Sequence, residues 1–272
     1  MQQGTTKAKE VTDAQTLDDG CAPVTDIGDL VVAATGKRYA AYCRGRLLLE
    51  APADADIVPC ASLTDPGTFD TLIDRYAQNH APDTDRRALV SLWSLFYCAN
   101  LVIGAAITFL ELRRVLPLSL DEASLIIDRQ SGTPRGFLLP HAGHVDAQAD
   151  VYAGMAPVIR HHFDPLFTQL AAHTGLGRKT FWTNTSAYLS WIIHEIGQQA
   201  GSPLGDEGRL ITESQAWPDG WRNPLARLVT VALTEKGEYC GNRRICCLRY
   251  AVKGVGGCGA ICPVPEGRAT GP

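Results

Sequence analysis

The chain has neither a strong net charge nor an apolar N-terminal stretch, and these two features would indicate several common classes of protein. Its 272 residues carry a formal net charge of −4, so nothing global indicates nucleic acid or an anionic membrane surface as a partner. The first 20 residues are polar and have no apolar stretch of the kind that a secretory signal peptide needs. We therefore expect a cytoplasmic protein in which residues 1–20 form a disordered leader.

Acidic residues and histidines are absent from one stretch that is rich in cysteine. Of the nine cysteines, four are scattered along the chain and five fall within the last 33 residues. In a reducing compartment, clustered cysteines are more often metal ligands than disulfides. The pattern predicts a metal site surrounded by positive charge. The basic residues between positions 241 and 262, where there is no acid, are Arg243, Arg244, Arg249 and Lys253.

Four of these cysteines are spaced so that they can converge on one site. Cys246 and Cys247 are adjacent, Cys258 follows after ten residues, and Cys262 precedes a proline. Thiolates are soft ligands, which select zinc or an iron–sulfur cluster over hard cations. Structural zinc usually takes two Cys-x₂₋₄-Cys pairs, whereas divergent adjacent thiolates suit a binuclear cluster better. We favour iron–sulfur, with zinc as the alternative, and interpret Cys240 as a bystander that could replace Cys262.

Helical patterns dominate the rest of the chain. The spacing of Phe69, Leu72, Ile73 and Tyr76 predicts one face of an amphipathic helix. Residues 88–110 contain no charged side chain and are long enough to span a bilayer. Their polar residues, and an arginine pair on each side, favour a buried core helix instead. Peripheral association with the inner face of a membrane is the open alternative.

The remaining patterns predict a mainly α (α+β) fold, with a helical core, a small β component and a C-terminal cysteine-rich loop. We expect residues 21–235 to form a mainly helical body, and residues 236–265 to form a cluster-binding segment packed on it. The other predicted elements are extended segments at 30–32 and 47–49, a β-hairpin over 125–139, helices over 147–173 (bent at its prolines) and 179–200, a loop over 218–224 and a short helix over 225–233.

One run of residues carries a resemblance to a known family. It is Arg244-Ile245-Cys246-Cys247-Leu248-Arg249-Tyr250, followed after ten residues by Cys258 and then by Cys262-Pro263. Upstream support comes, in order, from Arg87-Ala88-Leu89, Leu92-Trp93-Ser94, Phe181-Trp182-Thr183-Asn184 and Asn223-Pro224-Leu225. These residues resemble the FhuF-type ferric-siderophore reductases. The family pattern ends in Cys-x₂-Cys, whereas here three residues separate the last two cysteines, which changes the loop but not the number of ligands.

The resemblance implies a [2Fe–2S] cluster bound by the four matched cysteines. It also implies one-electron reduction of Fe(III) in a hydroxamate-type siderophore, in the cytoplasm or at the inner face of the membrane. Three basic neighbours are the candidates for tuning the cluster or docking an anionic surface. They are Arg244, Arg249 and Lys253.

No motif in the chain supports direct use of a nicotinamide nucleotide. Gly254-x-Gly256-x-x-Gly259 has the letters of a dinucleotide fingerprint, but no helix can follow it. Electrons are therefore expected from a separate donor, such as a ferredoxin, a flavoprotein or a small reductant. The alternative function is a non-redox module in which zinc–thiolate is structural and the helical body binds a chelate or a partner protein. Trp217 and Trp221 could line a docking surface, although ordinary packing is the preferred interpretation.

Overall fold

The computed structural model describes residues 23–198, 203–233 and 239–268, so the predicted leader lies outside the described residues. Helices form most of the fold, as predicted. In chain order they are α1 (Ile27–Thr35), α2 (Ala40–Cys43), α3 (Pro66–Ala77), α4 (Arg86–Leu112), α5 (Val151–Val158), α6 (Asp164–Thr174), α7 (Arg178–Gly197) and α8 (Leu204–Glu213).

Short strands within the described residues form three small sheets. The largest has the order β1-β5-β4-β2, with β4 antiparallel to both neighbours and β1 parallel to β5. Two further pairs, β3 with β6 and β7 with β8, are antiparallel. The predicted mainly α (α+β) class is therefore confirmed. The strands are β1 (Leu47–Leu48), β2 (Ala55–Pro59), β3 (Arg114–Val115), β4 (Ser124–Asp128), β5 (Pro134–Leu138), β6 (His144–Val145), β7 (Val229–Leu233) and β8 (Tyr239–Arg243).

Helix α4 is the central element of the fold. The Asp85 side chain accepts a hydrogen bond from the Arg87 N–H at its start, and Arg113, in the left-handed conformation, ends it. It packs against α1, α3, α5 and α7, and most of its residues are buried. Within the described residues it is the one helix long and apolar enough to cross a membrane, a test that buried core helices also pass. Its packing accounts for its apolar composition, since a helix in the middle of a fold is hydrophobic on every side.

Two predicted elements beside α4 are confirmed. Helix α3 begins after Asp65, which caps it, and buries the four-residue face that the spacing predicts. Strands β4 and β5 form the predicted hairpin, in which the Asp128 carboxylate accepts from the Ser131 N–H at 2.7 Å. Gly132 adopts a φ of 69° in this turn, and its carbonyl accepts from the Trp93 indole at 3.1 Å. The hairpin is thereby fixed to the N-terminal half of α4.

The helix predicted to bend at its prolines contains a π-helical turn, Ile159–Phe163, between α5 and α6. This turn places His162 in the core, with Nδ1 2.8 Å from the Leu118 carbonyl and Nε2 2.5 Å from the Tyr97 hydroxyl. A carbonyl can only accept, so Nδ1 carries the proton and Tyr97 donates to Nε2. Burial lowers the pKa of His162 to about 4, and the ring is neutral.

Two predictions are wrong. Residues 30–32 lie in α1 and not in an extended segment, because the Asp26 carboxylate caps the helix and Val31 packs into the core one turn after Ile27. Residues 225–233 form a turn followed by β7, and not a helix. The β-branched residues at the start of β7 fit a pleated strand, and β8 supplies the pairing partner from later in the chain.

Candidate metal centre

The chain after β7 folds by means of short turns. Strand β8 leads into 3₁₀ turns at Arg249–Ala251 and Gly259–Ile261. Gly254 and Gly259 have φ of 77° and 64°, in the left-handed region that favours glycine. These turns fold the chain back on itself, so that residues ten or more apart in the cysteine motif become neighbours.

The four predicted ligands lie together as two pairs of thiols. The Sγ atoms of Cys247 and Cys258 are 3.1 Å apart. We treat Cys246 and Cys262 as the second pair, because burial raises the pKa of the Cys246 thiol and the Cys262 side chain adds to that rise. All four are free thiols; Cys247 and Cys262 are buried, whereas Cys246 and Cys258 are half-buried. Each of the adjacent cysteines therefore has a cysteine from the later half of the motif near it.

Backbone N–H groups are directed at two of the sulfurs. Leu248 has a φ of 58° and a ψ of 7°, and its N–H donates to the Cys246 Sγ at 3.3 Å. The Arg249 N–H contributes to lowering the pKa of the Cys247 thiol. A left-handed residue other than glycine is strained by about 1–3 kcal/mol, and such strain is concentrated at ligand sites. N–H···S hydrogen bonds of this kind tune iron–sulfur centres.

The thiols of the first pair differ in their affinity for protons. The Cys258 thiol donates to the Cys247 sulfur and lowers the pKa of Cys247 to about 6, and the Arg243 guanidinium contributes to that lowering. The same hydrogen bond, together with burial, raises the pKa of Cys258. Burial also raises the pKa of Cys246. Cys247 is therefore the thiol of this pair that loses its proton first, and metal binding would displace the proton of Cys258.

The donor set fits a soft metal centre with two ligand pairs. Within the described residues, no three potential ligands converge on a single ion. Two thiolates on one tetrahedral metal lie about 3.8 Å apart, given metal–sulfur bonds of about 2.3 Å. The 3.1 Å between Cys247 and Cys258 is near that separation, and it is far longer than the roughly 2.05 Å of a disulfide bond. Two thiol pairs suit a binuclear centre better than one mononuclear ion.

Three polar side chains lie beneath the Cys247 turn: Ser91 and Ser94 of α4, and Asn184 of α7. We call these three residues the cradle. The Ser91 hydroxyl donates to the Cys247 carbonyl at 2.6 Å. The Asn184 amide nitrogen donates to the Ser94 hydroxyl at 2.9 Å and to the Ser91 carbonyl at 3.2 Å. All three side chains are buried. Because buried polar groups are held by their partners, the cradle fixes the cysteine turn against the two longest helices.

Arg243, at the end of β8, contacts the same cradle. Its Nη1 donates to the Asn184 Oδ1 at 3.1 Å, and its Nε has no hydrogen-bond partner. The residue is only 6% exposed. Within the described part of the chain, no carboxylate forms an ion pair with it. Its positive charge acts on both thiols of the Cys247–Cys258 pair.

The three basic residues predicted to tune the site or dock a partner lie in different settings. The Arg249 Nε donates to the Gly256 carbonyl at 2.8 Å and so ties the glycine-rich loop. Lys253 forms an exposed ion pair with Asp83. Arg244 is exposed to solvent. Their roles in tuning or docking stay predictions.

Other candidates lie away from this centre. Cys240 is a half-buried free thiol in β8, whose backbone pairs with Ala232 of β7. Trp217 is buried and packs edge-on against Trp221, with ring centroids 4.9 Å apart. Tyr152 also packs against Trp217, with centroids 5.4 Å apart. These contacts favour the packing interpretation of both tryptophans.

Sequence reasoning missed the cradle and Arg243. Ser91 and Ser94, three residues apart in the charge-free stretch 88–110 of α4, share a face, and Asn184 lies within the long helix α7. Polar residues on one side of a core helix indicate a buried polar contact, so this signal was available. For Arg243 no signal was available, because four basic residues in one stretch look equivalent until burial separates them.

Comparison with known proteins identifies the family. Residues 91–238 match the family described as Ferric iron reductase FhuF-like transporter. This span contains the whole cradle and ends before the four cysteines, so the match does not depend on the cysteine motif.

A curated protein and a solved structure each match more than half of this chain. A ferric siderophore reductase of Escherichia coli (strain K12) is 21% identical over 243 residues, which are 84% of this chain and 87% of that protein. A structure of the aerobactin synthetase IucC from a hypervirulent pathotype of Klebsiella pneumoniae covers 64% of this chain with a TM-score of 0.43 and 16% identity. Only 37% of that synthetase is spanned, and so low a score carries no argument. The family match covers more than half of the chain, and this protein therefore belongs to the FhuF-like ferric iron reductase family.

Proposed function

We propose that this protein is a [2Fe–2S] ferric-siderophore reductase, which passes one electron to chelated Fe(III) and releases Fe(II). The observation that carries the proposal is the meeting of four free cysteines as two thiol pairs beside a buried arginine. Membership of a ferric iron reductase family supports a role in electron transfer for this centre. The substrate class is supported by the E. coli relative, which is named a ferric siderophore reductase.

Different residues would bind the cluster and stabilise its ligand sulfurs. Cys247 with Cys258, and Cys246 with Cys262, would hold the cluster, which supplies one-electron transfer when bound. The Leu248 N–H would stabilise a ligand sulfur, as it does in the thiol form. Because Cys246 and Cys258 are half-buried while their partners are buried, the site has one face toward solvent. A bulky ferric chelate could approach that face without entering the protein.

The substrate needs no acid or base from the protein. Hydroxamate oxygens are hard donors, which hold Fe(III) far more tightly than Fe(II). Addition of one electron to the ferric chelate therefore gives Fe(II) and an intact siderophore, and no covalent bond in the chelator breaks. Exposed positive charge at Arg244, together with Arg249 and Lys253, suits an anionic chelate or donor protein.

The electron donor and the cellular location are proposed from two separate features of the chain, its motifs and its free cysteines. No nucleotide-binding motif has the required context, so electrons would come from a ferredoxin, a flavoprotein or a small reductant. We place the protein in the cytoplasm or at the inner face of its membrane. The eight cysteines within the described residues are all free thiols, which supports a reducing compartment.

Absorption and EPR spectra of anaerobically purified protein, before and after dithionite, test the cofactor. We expect a brown protein that bleaches on reduction and gives an S = ½ signal. Cys247→Ser should lose both the colour and the signal, and Cys240→Ser, the matched control, should keep them. A colourless protein that holds stoichiometric zinc even after iron–sulfur reconstitution would sink the redox proposal in favour of the zinc–thiolate module.

A second assay tests the substrate. The reduced protein is mixed with a ferric hydroxamate chelate, and a chromophoric Fe(II) chelator traps the released metal. One Fe(II) trapped per electron stored is the expected result. Protein that carries the cluster but does not reduce the chelate would contradict the substrate class and leave the cofactor assignment intact.

A further inference from the structure

A buried guanidinium, whose charge acts on two of the four thiols, has no carboxylate partner among the described residues. Arg243 is 6% exposed, and its guanidinium donates to the neutral Asn184 amide. Its Nε is buried and has no hydrogen-bond partner among the described residues. A buried charge is unfavourable unless an opposite charge compensates it. Some anion must therefore belong near Arg243 in the working protein.

The orientation of Arg243 is set by the cradle. The Asn184 amide nitrogen is committed to Ser91 and Ser94 by three hydrogen bonds. Its oxygen is consequently left facing Arg243, and it can only accept. Ser91 in turn donates to the Cys247 carbonyl. One connected network thus places both the guanidinium and the cysteine turn.

The groups around Arg243 narrow the choice of anion. Its charge also reaches Cys98, Tyr188 and Tyr239. All three are neutral near pH 7, because burial raises the pKa of Cys98 and of Tyr239 to about 12 and raises that of Tyr188. Among the described residues, its charge also acts on Cys247 and Cys258 of the thiol site. The described residues therefore favour the thiolate centre as the anion.

We propose that Arg243 is a positioning residue that supplies the buried counter-charge of the metal-loaded thiolate centre and raises its one-electron reduction potential. Four thiolates around one zinc, or around two ferric irons bridged by two sulfides, leave a net charge of −2. Reduction adds a further negative charge, which a nearby cation stabilises. The counter-charge requires only that these cysteines bind a metal, whereas the effect on the reduction potential rests on the proposed function.

Burial separates Arg243 from the other basic residues. Exposed charges are screened by salt over about 8 Å at physiological ionic strength, whereas buried charges are screened far less. Arg244 is exposed, and Lys253 is already paired with Asp83. Their influence on the centre should be small and should disappear at high salt. The influence of Arg243 should persist.

The test is a redox titration of the holoprotein, monitored by EPR, at low and at high salt. Arg243→Gln should reduce the equilibrium constant for reduction of the centre at least tenfold. For a one-electron couple this lowers the midpoint potential by about 59 mV or more. Arg243→Lys, which keeps the charge, should recover most of that shift. Arg244→Gln should give a smaller shift that salt removes, and Arg222→Gln, an exposed control outside the cysteine segment, should give none.

Metal retention keeps the proposal testable in every case. If the wild-type centre proves to hold zinc, the proposed function fails, but Arg243→Gln should still lose zinc to a competing chelator at least tenfold more readily than Arg243→Lys. If Arg243→Gln does not fold, Asn184→Asp supplies a carboxylate partner for the guanidinium and should lower the potential in its place. Equal potentials and equal metal retention in the wild type, Arg243→Gln and Arg243→Lys would overturn the proposal.

Discussion

Arginine is used in opposite ways in two regions of the molecule. In residues 23–198, nine of the twelve arginines form ion pairs with aspartate or glutamate. In residues 239–268, none of the four arginines has a carboxylate partner among the described residues. Surface ion pairs contribute little to stability, so the pairing in the body mainly neutralises charge. The cysteine segment leaves its arginines without a carboxylate partner among the described residues, and the proposed metal–thiolate centre would supply the missing negative charge.

The largest effect should come from removing a ligand in the unpaired region. Cys247→Ser should abolish metal binding, because it removes a buried ligand and breaks the Cys247–Cys258 pair. Metal content per chain measures the effect directly. Equal metal content in Cys247→Ser and wild-type protein would mean that the charge of this segment serves another ligand.

The next effect should come from the contact between the two regions. Asn184→Ala leaves Arg243 and Ser94 without their shared partner, so we expect a loss of about 3 kcal/mol in the free energy of unfolding. Chemical denaturation measures the loss, and Lys179→Ala, which truncates an exposed side chain on the same helix, is the control. If Asn184→Ala lowers the free energy of unfolding no more than Lys179→Ala does, the cradle does not stabilise the packing of the cysteine segment on the helical body.

Acid should act on the body through His162. Its pKa is about 4 in the folded protein, against about 6.5 when unfolded, so the unfolded chain binds the proton first as the pH falls. The stability conferred by the neutral ring is complete above pH 6.5 and is lost as the pH falls toward 4. We expect about 2 kcal/mol less stability at pH 5 than at pH 8.

Denaturation of metal-free protein across this range measures the slope. His162→Gln should lower stability at every pH but flatten the slope between pH 8 and pH 5. An unchanged slope would assign the acid sensitivity to other groups.

The smallest effect should come from breaking a pair in the body. Glu207→Gln removes the partner of Arg113, and we expect a loss of roughly 1 kcal/mol or less in unfolding free energy. The midpoint potential should not change. A potential shift as large as that of Arg243→Gln would erase the distinction between the two regions.

Local patterns made part of this structure predictable. The face of α3 and the β4–β5 hairpin depend on residues close in sequence, and both are confirmed. Strand β7 was missed because its pairing partner, β8, comes later in the chain. The convergence of the four cysteines followed from their spacing, but their division into pairs did not. Arg243 could not be distinguished from Arg244, because only the packing of β8 against α7 decides which of two adjacent arginines is buried.

The cradle also fixes an order of events during biosynthesis. Ser91, Ser94 and Asn184 belong to helices that leave the ribosome before the cysteine segment is made, and chains fold in the order of synthesis. Helices α4 and α7 can therefore pack, and the seat for the Cys247 turn can form, before any ligand cysteine is available. Insertion of the proposed metal would then be the last step of maturation. Before metal insertion, the arginines of the cysteine segment have no compensating anion. We therefore expect a protease to cleave the metal-free protein first in this segment.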